Sequence, residues 1–229
     1  MKIKLVYTTE SMKEKQKMKE KVKEFIVKNL KWIILFICLI GFLAIAEDVF
    51  NKEIMNGDIV GYKLISTFLI SYFATPIAKF ITNFGGAIFL AVLTIILFIL
   101  IKNKKIGVSI FSNLAIITAL NQLLKNILQR PRPTEYRIIE ETGYSFPSGH
   151  SMISMAFYGY LIYLIYKYVK NKYVKWTSMV LLSLLICSIG ISRIYLGVHY
   201  TSDVLGGFLI SISYLVIYIS AVNKFLIEK

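Results

Sequence analysis

Cysteine and histidine are scarce in this chain, two of each among 229 residues. Cys38 and Cys187 sit inside apolar stretches, so they read as free thiols packed like small apolar side chains, and no Cys/His cluster has zinc spacing. Acidic residues are also few, 13 against 27 Lys and Arg, and none cluster in a way that would cage a divalent cation. No metal or other cofactor is therefore expected. A Gly-rich phosphate loop and an aromatic RNA-binding pattern are missing too. The net charge of +14 is accordingly not read as a nucleic-acid surface. Its lysines crowd the first 31 residues, interleaved with Glu10, Glu14, Glu20 and Glu24, and predict a solvated helix that leans on anionic lipid headgroups.

What the chain has in excess is apolar surface. Hydrophobic residues make up 56% and charged residues 17%, with a mean hydropathy of +0.64, too apolar for an ordinary soluble domain. The fold class expected is an all-α integral membrane protein, a bundle of six transmembrane helices. The spans read as Leu30 to Ala46, Phe84 to Ile101, Ile106 to Leu124, Ser151 to Tyr166, Trp176 to Ser192 and Val204 to Val222, against a requirement of roughly 17 to 25 apolar residues each. Three regions follow: a basic tail over 1–29, the membrane domain over 30–223 and a short tail over 224–229. The first apolar run begins near residue 30 with no small-residue cleavage pattern behind it, so it reads as an uncleaved span.

Leu64 to Ile81 is ambiguous, because Ser66, Thr67, Ser71, Thr75, Pro76 and Lys79 interrupt its apolar residues. Lysine placement decides against a span there. With six spans the N-terminal tail, the Lys102/Lys104/Lys105 turn, the Lys167 to Lys175 loop and the C-terminal tail share one face and hold most of the cations, which marks that face as cytoplasmic. The stretch is then an interfacial or re-entrant element, and both termini are cytoplasmic.

That topology gathers three charged islands on the opposite, extracytoplasmic face of a plasma membrane. They are Lys125 with Arg132-Pro133, Pro147-Ser148-Gly149-His150, and Ser192-Arg193 with His199 and Asp203. Both histidines of the chain fall here. His199 and Asp203, four residues apart at a helix start, share a face, so the carboxylate can hold one ring nitrogen protonated and leave the other free to attack. Lys125, Arg132 and Arg193 suit a phosphate dianion. Ser148 and Gly149 open the next helix with a hydroxyl and backbone N–H groups, and His150 can protonate a leaving oxygen. Arg130 and Arg137 read as ordinary cations at a span end.

These three islands resemble the signature motifs of the type 2 phosphatidic acid phosphatase superfamily, whose site is shared with vanadium-dependent haloperoxidases. The spacings are Lys125, six residues, then Arg132-Pro133; Pro147 to His150; and Ser192-Arg193, five residues, His199, three residues, Asp203. The resemblance implies that Lys125, Arg132, Ser148, Gly149 and Arg193 bind phosphate. It also implies that His199 attacks phosphorus, Asp203 orients His199, and His150 protonates the leaving group, without metal. A membrane lipid is the expected partner: phosphatidate, phosphatidylglycerophosphate or a polyprenyl diphosphate such as undecaprenyl diphosphate. The alternatives are a lipid phosphotransferase using the same intermediate and a non-enzymatic lipid-phosphate carrier.

Overall fold

The computed structural model describes residues 2–52 and 55–224, with side chains from Met18 onward. The tail expected at 224–229 lies outside the described residues beyond Lys224, as do the side chains of the N-terminal tail before Met18. The described residues form eight helices: α1 (Lys2–Phe50), α2 (Asn56–Leu69), α3 (Ala74–Asn83), α4 (Ala87–Leu100), α5 (Lys104–Leu128), α6 (Gly149–Tyr168), α7 (Lys172–Tyr195) and α8 (Thr201–Val222).

Helix α1 runs without a break through the expected junction of tail and span, since neither Gly nor Pro precedes Gly41 and the residues before it are mostly strong helix formers. Leu35, Cys38, Phe42, Ala46 and Val49 recur every three or four residues and are buried, a stripe that packs mainly on α8. The opposite face, with Ile37, Ile40 and Leu43, stays exposed. In water such a face would be a liability; in lipid it is the solvated surface.

The chain is an integral membrane protein by this build, and length and composition alone mark four or five of its described helices as crossings. Four helices are long and apolar enough to cross: Met18–Phe50 of α1, then α5, α7 and α8. A fifth crossing arises if α3 and α4, bent by 50° at their junction, count as one. Helix α4 alone has 14 residues, about 21 Å at 1.5 Å per residue, short of a hydrocarbon core of about 30 Å. Helix α6 is long enough, with 20 residues, but Tyr158, Tyr160, Tyr163, Tyr166 and Tyr168 with Ser151 and Ser154 dilute its apolar character. The ambiguous stretch resolves into two short helices. They break around Ser71, whose N–H donates to the Tyr195 hydroxyl at 3.3 Å.

Helix α6 is the centre of the bundle, packed on α5, α7 and α8. Its hydroxyls find partners there: Tyr160 bonds Ser109 at 2.7 Å, and Tyr158 donates to the Phe84 carbonyl at 2.7 Å. Such pairing is what lets a polar helix occupy a membrane bundle. Close approach of α8 depends on Gly207, where a Cβ would stand 3.2 Å from Met152 N and Ser148 O. The start of α8 is thereby pinned against the start of α6. Helix α5 ends at Gln129 in the left-handed region, φ 45°, and releases the loop 129–148 across the same end of the bundle.

Candidate active site

Helix α8 begins by satisfying its own first turn. Asp203 Oδ2 accepts the Tyr200 N–H at 2.8 Å, which holds the carboxylate back toward the preceding loop. Four residues earlier, His199 Nδ1 lies 3.3 Å from the same oxygen. Ser145 completes this corner: its hydroxyl donates to Asp203 Oδ2 and stands 3.2 Å from His199 Nδ1. On the other side of the ring, Nε2 lies 3.1 Å from Arg132 Nη1. A guanidinium has only donors, so Nε2 accepts and the ring proton resides on Nδ1. The hydrogen-bond network thus assigns the tautomer that a nucleophilic Nε2 requires.

Arg132 is fixed by carbonyls on three sides: Nε donates to Gly143 at 3.0 Å, Nη2 to Thr142 at 2.9 Å and Nη1 to Val198 at 3.0 Å. Gly197, just before Val198, packs directly against the loop that carries Tyr136. Its φ is +69°, and a Cβ there would lie 2.0 Å from the Tyr136 carbonyl oxygen, so a side chain is excluded twice over. Lys125, in the last turn of α5, donates to the Tyr144 carbonyl and lies 3.4 Å from that of Ser145. Arg193, 1% exposed, donates Nη1 to Thr82 at 2.7 Å and Nη2 to Glu141 at 2.5 Å. Its Nε is buried with no protein acceptor, an open donor in a place where an oxyanion would satisfy it.

Ser148 is fully buried at the start of α6. Its backbone N–H donates to the Asp203 carbonyl at 3.0 Å, so the two helix starts are stitched together, and its hydroxyl accepts from Ser151 at 3.0 Å. Gly149 abuts Asn121, which would sit 3.1 Å from an added Cβ. His150, on the first turn, lies in the fields of Arg193, Glu141, His199 and Arg132. All eight residues singled out in the sequence therefore meet at one end of the bundle.

The structure also brings in residues that the sequence did not single out. Arg130 is not an ordinary span-end cation: it is 7% exposed and bridges Asp203 Oδ1 and Asp58 Oδ2, both at 2.7 Å. Arg137 lies in the 129–148 loop, where its Nε donates to the Pro133 carbonyl and it pairs at 4.0 Å with the exposed Glu140. Glu141, bonded to Arg193 and 4.0 Å from Arg132, places a carboxylate between two of these cations. Burial pushes its pKa up, but the charge and hydrogen bond of Arg193 outweigh that and hold it below the usual carboxylate range.

Burial is also what dominates at His199, whose pKa is lowered to about 4 against the hydrogen bond and charge of Asp203; Arg193 and Arg132 push the same way as burial. The ring is neutral near pH 7. It lines a cavity of about 850 Å³ with Asp58, Tyr62, Lys63, Pro133 and Tyr136. Among the described residues, no three of His, Cys, Asp and Glu gather as metal ligands do.

Cations gathered beside the helix starts of an all-α membrane bundle make a candidate anion site, of the kind a transmembrane phosphatase would need. Residues 106–227, which include every motif position above, match the PAP2 superfamily, and the chain belongs to that family. Phosphatidylglycerophosphatase B of Bacillus subtilis (strain 168) is 40% identical over 91 residues, 39% of this chain and 44% of the relative, so the match spans less than half of that protein. Undecaprenyl-diphosphatase of Sulfolobus acidocaldarius is 26% identical over 193 residues, 80% of this chain and 86% of the relative. Among solved structures, a transmembrane PAP2 type phosphatidylglycerolphosphate phosphatase from Bacillus subtilis superposes with a TM-score of 0.73 at 26% identity, covering 83% of this chain and 96% of that one. Aquifex aeolicus LpxE shares the fold, with a TM-score of 0.57 at 24% identity over 69% of this chain and 92% of the other.

Proposed function

We propose that this chain is a metal-independent membrane lipid phosphatase that works through a phosphohistidine at His199. The observation that carries the reading is the His199 ring itself, with Nδ1 toward Asp203 and Nε2 among cations. In the first step Nε2 attacks phosphorus and the bond from phosphorus to the lipid oxygen breaks; His150, which takes up a proton when the phosphate dianion sits beside it, gives that proton to the oxygen. In the second, water gives a proton to His150 and attacks the phosphohistidine, releasing inorganic phosphate and restoring Nε2. Lys125, Arg132 and Arg193, with the Ser148 hydroxyl and the Gly149 amide, hold the equatorial oxygens, the task that Mg²⁺ performs in many phosphoryl-transfer sites.

The substrate is a lipid monophosphate or diphosphate. The membrane setting and the activities for which the relatives are named, phosphatidylglycerophosphatase and undecaprenyl-diphosphatase, support that class. Helix α6 serves as a further crossing beside the four long helices and the bent α3/α4 pair. That arrangement leaves both termini in the cytoplasm and the site at the outer headgroup level of the plasma membrane, with the basic tail of α1 against anionic lipid.

The test is phosphate release by purified protein in mixed micelles containing EDTA, with phosphatidate, phosphatidylglycerophosphate and undecaprenyl diphosphate supplied separately. Release from at least one of the three is expected. Phosphate moved to an added lipid alcohol with none set free would make the protein a transferase, and inertness toward all three would overturn the reading.

A further inference from the structure

We infer that Asp58 and Arg130 are positioning residues for the nucleophile, a carboxylate and guanidinium pair that sets how strongly Asp203 pulls on His199. The inference rests on the reading of His199 as nucleophile. It concerns a helix, α2, that carries none of the family's motif residues.

Asp203 is fully buried and divides its two oxygens between two tasks. Oδ2 faces Tyr200 N–H, Ser145 and His199. Oδ1 accepts from Arg130 Nη1 at 2.7 Å. A buried carboxylate with one oxygen unpaired would be costly and would hold its charge poorly; Arg130 prevents that. The second fork of Arg130, Nη2, reaches Asp58 Oδ2 at 2.7 Å. Asp58 is 3% exposed and is held by the Ser202 N–H at 2.8 Å and the Ser202 hydroxyl at 2.9 Å. Arg130 also lies 4.1 Å from the centre of the Tyr200 ring, so its plane is clamped.

The chain of contacts runs Asp58, Arg130, Asp203, His199, and the charges alternate. Each member tempers the next. With Asp58 present, Arg130 shares its positive charge between two carboxylates, and Asp203 keeps enough negative charge to stabilise the cationic ring that forms when Nε2 bonds phosphorus. Without Asp58, Arg130 turns wholly to Asp203 and weakens that support. Without Arg130, Asp203 becomes more basic and competes for the Nδ1 proton. The other charged groups around His199 are Arg132 and Arg193, with His150 across the site, and Lys63 and Glu135 line the cavity that His199 and Asp58 share; the Asp58 and Arg130 variants leave all of these in place.

Opposite signs make the inference testable. Removing the negative charge in Asp58→Asn, which preserves shape, lowers the His199 pKa; removing the positive charge in Arg130→Gln raises it. The pH profile of kcat/KM for lipid phosphate hydrolysis is measured for wild type, both single variants and the double variant. The acid limb is expected to move down for Asp58→Asn and up for Arg130→Gln, each by about half a pH unit or more. It should return toward wild type in the double variant, while kcat falls at least about tenfold and KM changes less than threefold. Arg130→Lys, which keeps the charge and loses the fork, should keep the wild-type limb with a lower kcat. If Arg130→Gln does not fold, Asp58→Asn and Arg130→Lys still decide the matter. Limbs that stay in place, or that shift in one direction for both charge removals, overturn the inference. His199→Ala is measured alongside: activity retained there sinks the phosphohistidine reading, whereas an inert His199→Ala with unmoved limbs in the other variants sinks only the positioning role.

Discussion

Arg132 Nη1 stands 3.1 Å from His199 Nε2, so the nitrogen proposed to attack phosphorus is occupied by a cation that also belongs to the anion site. A phosphate entering between them would take the guanidinium hydrogen from the ring and leave the lone pair facing phosphorus. On the proposed mechanism, ground-state order and nucleophile release would be coupled through one side chain.

The first expected outcome concerns that lone pair. His199→Ala should reduce phosphate release by about three to four orders of magnitude, and Asp203→Asn nearly as far, because the amide imposes the wrong ring tautomer. Elution and thermal melting in detergent should show His199→Ala folded, since the ring is held only by site residues. Near-wild-type release by folded His199→Ala would remove the intermediate.

The motif positions were legible in the sequence because their residue types stand at fixed spacings beside helix ends, Lys125 and Arg193 in last turns and the others at or just before helix starts or in the loop after α5. His199 and Asp203 sit one helical turn apart, and Ser148 with Gly149 opens α6. Arg130 was not legible for a specific reason: it and Arg132 each precede a proline five and seven residues after Lys125, and only the turn at Gln129 decides which faces His199 and which faces Asp58. Asp58 lies 72 residues from Arg130 and has no local pattern to mark it. The all-helical membrane architecture followed from composition. Helix length and hydropathy carry the number of crossings less far, because α6 carries hydroxyls that only a packed bundle can satisfy, and α4 is short enough to need α3.

A second outcome follows from the three cations. Activity should survive EDTA and be inhibited by vanadate, and Lys125→Ala, Arg132→Ala or Arg193→Ala should each lower kcat/KM by about a hundredfold or more. Vanadate inhibition should weaken in parallel, since the same donors would hold both oxyanions. Loss of activity in EDTA with rescue by Mg²⁺ is the result that contradicts this account.

The depressed His199 pKa has two measurable consequences. Because the ring is neutral down to about pH 4, the acid limb of kcat/KM should fall well below the ordinary histidine value of about 6.5. The unfolded chain binds this proton from about 6.5 downward and the folded one only near 4. Stability from His199 is therefore present above pH 6.5 and is lost as pH falls toward 4. Melting temperature in detergent should drop across that window more steeply for wild type than for His199→Gln, and equal slopes would show that the ring titrates normally.

Sidedness follows from charge alone. In the proposed topology the lysines of the first 31 residues, the turn around Lys102 and the loop from Lys167 to Lys175 face the cytoplasm, and the site lies at the other end of α5, α6 and α7. In a background with Cys38 and Cys187 replaced by Ala or Ser, Glu140→Cys should react with an impermeant thiol reagent on intact cells, because Glu140 has a side chain 93% exposed. Asn171→Cys, at the start of α7, should react only after permeabilisation. Glu140 is the right probe and its neighbour is not, since Glu141 is engaged by Arg193. The substrate headgroup must then be presented in the outer leaflet, as a lipid carrier spent in envelope assembly would be. Labelling at position 171 but not at 140 on intact cells would place the site in the cytoplasm and require a substrate of the inner leaflet.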